Sequence, residues 1–229
     1  MLASSLIVLL TTEALAFDAR VAPIPQCNGG VRHVASARAQ VVRKVPLPSP
    51  TIELKRSTEA LRKTLARRHP GWSPEAEAQA TSVQQVIDGL LDFEEIAKRT
   101  LPTRWDGLTA GQRREFLDTL QKLIERRPLD RNLSIDLESN VAYQSESIVD
   151  DEAVVSSLVT SYKTGRPARR SVEYKLCYKA NRWRIYDVVV EGVSLVDDYR
   201  DQFARIIKED SFDGLLKRMR KKLGDDPAN

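Results

Sequence analysis

Few residues in this chain could do covalent or acid–base chemistry, and their spacing sets most of that chemistry aside. Histidine occurs only at His33 and His69, and cysteine only at Cys27 and Cys177. A serine or cysteine nucleophile needs a base held beside it. His33 lies in a proline-bearing stretch and His69 directly before Pro70, so neither reads as a positioned base. Cys/His zinc sites and disulfide-dense scaffolds are excluded by the same counts. Gly107 to Gly111 has neither the lysine nor the preceding strand of a phosphate-binding loop. Glu94-Glu95, Asp150-Asp151-Glu152 and Asp197-Asp198 are sequence neighbours, which point apart on a helix and make poor acid/base pairs. Lys217-Arg218 and Arg220-Lys221-Lys222 interleave with Leu216, Met219 and Leu223 as the wet face of a terminal helix. No stacking aromatics accompany them, so nucleic acid is not an expected partner. One acid stands out. Asp187 sits among valines, and if buried it must be paired; Arg200, on the helix that follows, is the expected partner.

The elements that would position these residues fall into a helical half and a sheet. Ile52, Leu54, Ala60, Leu61 and Leu65 suit a helix from Thr51 to about Arg68, before His69-Pro70-Gly71. Ser73 is an N-cap with Pro74 at the first helical position, and Ala80, Val83, Val86, Ile87 and Leu90 form the apolar face. Asp92 starts a short third helix through Phe93, Ile96 and Ala97. Thr109 to Gln112 is a capping-box pattern launching a fourth, with Phe116, Leu117, Leu120, Leu123 and Ile124 on one face. After Pro128 the period becomes two: Leu133, Ile135 and Leu137 alternate, and Val154 to Tyr162 is β-branched. Gly165-Arg166-Pro167 is a turn. Val172, Tyr174, Leu176 and Tyr178 then share one strand face, and Ala180-Asn181 turns into Trp183 to Val190. Val196 to Lys208 and Phe212 to Leu223 close the chain as helices. Helices followed by antiparallel strands predict an α+β fold.

Composition agrees with a globular domain carrying an extension. The chain has 229 residues, 41% apolar and 30% charged, with 36 basic against 32 acidic residues for a net charge of +4. That apolar share excludes wholesale disorder, and the small basic surplus demands no polyanionic partner. Residues 1–16 hold an apolar run, Leu6 to Leu10, that ends in Ala14-Leu15-Ala16 before Phe17. This reads as a signal peptide with a weak front, since no Lys or Arg precedes the run, and predicts a secreted protein. A short buried helix is the alternative. The run is too short to span a bilayer, which needs about 20 apolar residues. Residues 17–50 contain Pro23, Pro25, Pro46, Pro48 and Pro50 and read as a disordered segment; 51–223 form one domain, and 224–229 a tail. Cys27 lacks a lipobox, and in an oxidising compartment it could pair with Cys177 or both could stay free.

The most informative block runs from Trp183 to Phe203. Its Val188-Val189-Val190 run is apolar on both strand faces, so something covers both, either a packed layer or a cavity. The block resembles the MlaC family of periplasmic phospholipid-binding, or toluene-tolerance, proteins. That family shows a Trp-x-Val/Ile-x-Asp-Val strand, then Glu-Gly-Val-Ser-Leu-Val, then a Tyr-Arg-x-Gln-Phe helix. The matching residues are Trp183, Ile185, Asp187, Val188, Glu191 to Val196, Tyr199, Arg200, Gln202 and Phe203. Asp92-Phe93-Glu94-Glu95-Ile96-Ala97 with Trp105, and Phe212-Asp213-Gly214-Leu215-Leu216, are also similar to family patterns. Glu125-Arg126-Arg127-Pro128 departs from them, because the family usually carries a tyrosine there.

The resemblance implies an NTF2-like α+β architecture, a curved antiparallel sheet and helices around an apolar lipid pocket. It implies a non-enzymatic, soluble periplasmic phospholipid carrier without cofactors. Its partners would be an inner-membrane ABC transporter complex with its substrate-binding ring and an outer-membrane lipoprotein complex. Within such a fold the expected lining is Val188 and Val190 of the last strand, Val193 and Leu195, and Tyr199 and Phe203 one helical turn apart. From the helical half, Ile96, Leu120 and Ile124 are expected, with Val86 and Leu90 at the far end. Two other classes stay open: an NTF2-like enzyme with Asp187 in its cavity, and a structural envelope protein without a pocket.

Overall fold

A computed structural model describes residues 46–66, 73–129, 139–162 and 167–224, with the side chains of 125–129 excepted. The signal-peptide reading, His33, His69, Cys27, the alternation at Leu133 to Leu137 and the turn at Gly165-Arg166 lie outside the described residues.

Local capping chemistry starts each of the first helices. In α1 (Pro50–Leu65) the Ser49 hydroxyl accepts from Ile52 N, with Pro50 in the first turn. α1 thus begins one residue before the expected Thr51, and the chain ahead of it is fastened to the domain: the Trp183 indole donates to Pro48 O at 2.6 Å, and Leu47 packs on the core. Ser73 caps α2 (Pro74–Leu90), and Asp92 caps α3 (Phe93–Thr100) by accepting from Glu95 N. A 3-10 turn, Trp105–Gly107, leads to α4 (Ala110–Leu129). There Thr109 N donates to Gln112 Oε1 while Gln112 N donates to Thr109 Oγ1, the reciprocal bonds of a capping box. α4 continues through Pro128, one residue past the expected change of period.

Five antiparallel strands follow as a meander in the order β1-β2-β3-β4-β5. They are β1 (Asn140–Val149), β2 (Glu152–Ser161), β3 (Ala168–Lys179), β4 (Arg182–Val190) and the short β5 (Val193–Ser194). The β3–β4 and β4–β5 hairpins turn on two residues each. Ala180 and Asn181 have φ of 52° and 62°, and Glu191 and Gly192 have 51° and 83°. Left-handed pairs of this kind match the strand twist. α5 (Leu195–Glu209) and α6 (Phe212–Leu223) complete the α+β fold.

A bulge in β4 decides which way its side chains face. Lys175 pairs with Asp187 and Leu176 with Ile185, so Tyr186 is the extra residue. Val190, Val188, Ile185 and Trp183 therefore stand opposite Val172, Tyr174, Leu176 and Tyr178, on one face. Tyr186 and Asp187 serve other neighbours. Every residue from Ile185 to Val190 is buried, so both faces of this strand are covered, as the apolar run predicted. Among the described residues no helix is long and apolar enough to cross a membrane.

Candidate functional site

Alternation along β2, β3 and β4 collects one apolar sheet face. Ala153, Val155 and Val159 are almost fully buried on β2, as are Val172, Tyr174 and Leu176 on β3, and Val188 and Val190 on β4. Register sets Tyr174 between Val155 and Val188, and Val172 beside Val190. Leu90, Ile96, Leu120, Ile124 and Phe203 belong to the same continuous apolar cluster as Val188 and Val190, and Val86 and Tyr199 pack against it. Nine of the eleven expected lining residues thus belong to, or pack on, the buried core, which takes in both faces of the sheet. The other two stand apart: Leu195 is buried outside that cluster, and Val193, on the short edge strand, is 40% exposed. Tyr199 stacks on Phe203 at 5.4 Å, and Phe203 meets Phe116 edge-on at 5.7 Å. One turn of α5 thereby joins α4.

Asp187 is buried and paired, but not by Arg200. Its carboxylate accepts from the Ser194 hydroxyl at 2.7 Å and from Val196 N at 3.1 Å, and meets Lys175 Nζ at 3.0 Å. Arg200 instead pairs with Asp197 and Asp201 on its own helix. The reason is the tight Glu191-Gly192 turn, which folds the start of α5 back onto β4. Asp187 then reaches the Val196 N–H of the first helical turn, while Arg200 lies a turn further on. Asp187 is in effect a second cap for α5.

A second polar cluster has no counterpart in the sequence reading. Arg99, 8% exposed, pairs with Glu95 and Glu152 at 2.8 Å each, and its guanidinium lies 3.8 Å from the Tyr186 ring centroid. Tyr186 donates to Glu152 at 3.3 Å. Lys179 lies 3.5 Å from both Asp92 and Glu94. These carboxylates raise the Lys179 ammonium above its ordinary value against the opposing effect of its burial, and bonding to Lys98 holds Glu94 below its own. Cys177, fully buried, points its thiol at Asp92. The Glu94/Lys98 and Glu95/Arg99 spacings were the readable signals, since i,i+4 pairs face each other on a helix.

The buried charged groups Asp187, Glu95 and Arg99 tie α3 and α5 to the sheet, while the face that holds Val155, Val172, Tyr174 and Val188 is mainly hydrocarbon, with the Ser157 and Tyr174 hydroxyls among it. An open cleft of about 330 Å³ lies between the first turn of α1 and β1, with Ser49, Ile52, Lys55, Tyr143 and Glu146 among its walls. Hydrogen bonding from Thr51 and then from the Ser49 hydroxyl keeps the Glu146 carboxyl below the ordinary range.

The MlaC protein family matches residues 55–221. The chain belongs to the MlaC family. A curated relative, the intermembrane phospholipid transport system binding protein MlaC of Haemophilus influenzae, is 22% identical over 141 residues. That alignment spans 61% of this chain and 65% of the relative, just under two thirds of its length. Among solved structures, a phospholipid-binding protein from Ralstonia solanacearum in complex with a phospholipid superposes with a TM-score of 0.59 at 21% identity. The match covers 76% of this chain and 96% of that one, and establishes the MlaC fold here.

Proposed function

We propose that this protein is a soluble, non-enzymatic periplasmic carrier that shuttles phospholipid between outer-membrane and inner-membrane complexes of an ABC-type lipid transport system. The observation that carries the reading is the family match over residues 55–221, on a fold shared with a protein solved around a phospholipid. The proposed acyl-chain wall is the apolar set Val86, Leu90, Ile96, Leu120, Ile124, Val188, Val190, Tyr199 and Phe203, with Val193 and Leu195 nearer the rim. Exposing two acyl chains of about thirty CH₂ groups to water costs roughly 20–25 kcal/mol at ~0.8 kcal/mol each. Free diffusion between membranes is therefore prohibitive, and a carrier needs a hydrocarbon-lined interior rather than a reactive group. The partners would be an inner-membrane ABC transporter complex with its substrate-binding ring and an outer-membrane lipoprotein complex.

The engagement of Asp187 by Ser194, Val196 and Lys175 favours this reading over an enzyme that uses Asp187 as an acid or base. Native mass spectrometry of protein purified without detergent, followed by extraction of the bound lipid, tests the proposal. One phospholipid per chain is expected; a lipid-free protein that takes up none from vesicles would overturn it.

A further inference from the structure

Tyr174 occupies the middle of the hydrocarbon face, fully buried between Val155 and Val188. Its hydroxyl has no hydrogen-bond partner among the described residues. Ser157, on the same face, is a near neighbour, but its hydroxyl donates to Val172 O at 3.1 Å and makes no bond of good geometry with the phenol. Burial drives the phenol well above its usual range, so the group is a neutral donor at any physiological pH. A buried hydroxyl left without an acceptor is costly, and phenylalanine would fill the same space without that cost.

The ring's neighbours show where an acceptor could enter. The Tyr174 ring lies 6.3 Å, centroid to centroid, from that of Tyr143. Tyr143 has a partner of its own, Thr58 at 3.2 Å, and forms part of the wall of the open cleft beside Lys55. One aromatic layer therefore separates the Tyr174 ring from an opening to solvent. Val155 and Val188, which flank Tyr174 on the sheet, offer no counter-charge, so an anionic acceptor drawn between them is disfavoured. A neutral carbonyl oxygen needs none.

We infer that Tyr174 is the interior polar anchor of the lipid site, donating its hydroxyl proton to an ester carbonyl of the bound phospholipid while the charged head stays in water. This rests on the carrier reading above and adds a chemical preference to it, for acyl-ester over alkyl-ether lipid. Competition between matched ester-linked and ether-linked phosphatidylglycerol, with the bound fraction read by mass spectrometry, tests it. The wild type should favour the ester by about fivefold, the worth of one net hydrogen bond. Tyr174→Phe should lose the preference, retain ether lipid as well as the wild type does, and melt no lower. Equal retention of both lipids by the wild type, or an undiminished ester preference in Tyr174→Phe, overturns the anchor while leaving the carrier intact. A wild type that retains neither lipid removes both.

Discussion

Asp187→Asn is the substitution whose effect follows most directly from the geometry. The Asp187 side chain is 3% exposed and accepts two hydrogen bonds, from Ser194 Oγ and Val196 N, beside the Lys175 ammonium. Bonds to an ionised acceptor are worth about 1.5–3 kcal/mol each. Asparagine keeps one acceptor oxygen, so one of the two bonds is lost or weakened, together with the attraction to Lys175. Lys175 is 25% exposed and can turn to water, which limits the penalty on its side. The balance is a loss of about 2–3 kcal/mol for Asp187→Asn. Asp187→Ala, which strips both bonds from the first turn of α5, should reach ~3–5 kcal/mol. For a domain of this size that is a fall of about 5–10 °C in Tm for the asparagine variant. Urea and thermal unfolding followed by circular dichroism read the loss directly. A double-mutant cycle with Lys175→Met isolates the ion pair. An Asp187→Asn protein within about 0.5 kcal/mol of wild type would refute the capping account.

Other outcomes follow from the same structure. Arg99→Met leaves Glu95 buried without its cation and should destabilise by ~3–5 kcal/mol, whereas Glu95→Gln combined with Arg99→Met should recover much of that in unfolding titrations. Val190→Trp should expel acyl chain, read as lipid per protein by mass spectrometry, with a stability loss no greater than the ~1–3 kcal/mol of an overpacked core. Outright unfolding, or a full lipid load, would remove Val190 from the pocket wall. Because bonds from Thr51 and Ser49 hold Glu146 below its ordinary value of 4.5, its contribution is present above pH 4.5 and fades as pH falls through the lower folded value. Glu146→Gln should therefore flatten the acid limb of a stability–pH profile, by a small amount because the site is exposed; superimposable profiles would count against this.

What the sequence made legible was mostly local. Ser73, Asp92, Thr109 and Gln112 announce helix starts because a cap and its target lie within three residues. Val172, Tyr174 and Leu176 announce a strand face because the pleat repeats every two. Long-range polar pairing was hidden. Sequence proximity points Asp187 at Arg200, on the helix that follows, whereas the Glu191-Gly192 turn brings Ser194 and Val196 closer. Arg99 finds Glu152 53 residues away across the sheet, and nothing local encodes that. β1 carried no clear signal, since from Gln144 to Val149 its residues are exposed and a solvated strand needs no apolar alternation. The family motif was legible because β4 and the start of α5 form one short, contiguous unit. Of the residues expected to line a pocket, Leu195 and Val193 fall outside the core cluster, Val193 because it follows the turn out to the sheet edge.

The bond from the Trp183 indole to Pro48 joins residues 135 apart and has a consequence for the order of folding. α1 leaves the ribosome first among the described elements, and part of what holds it comes late: Tyr143 for Thr58, Glu146 for Ser49, and Trp183 for the chain just ahead of the helix. Until β4 has been made, α1 lacks the indole that fixes its entry, and the apolar side of Leu54 and Leu61 waits for the sheet. Contacts of such long sequence separation form slowly. α1 can dock on α2 early through the Gln79 bond to Thr64 O, but its entry is fixed only when β4 supplies the indole.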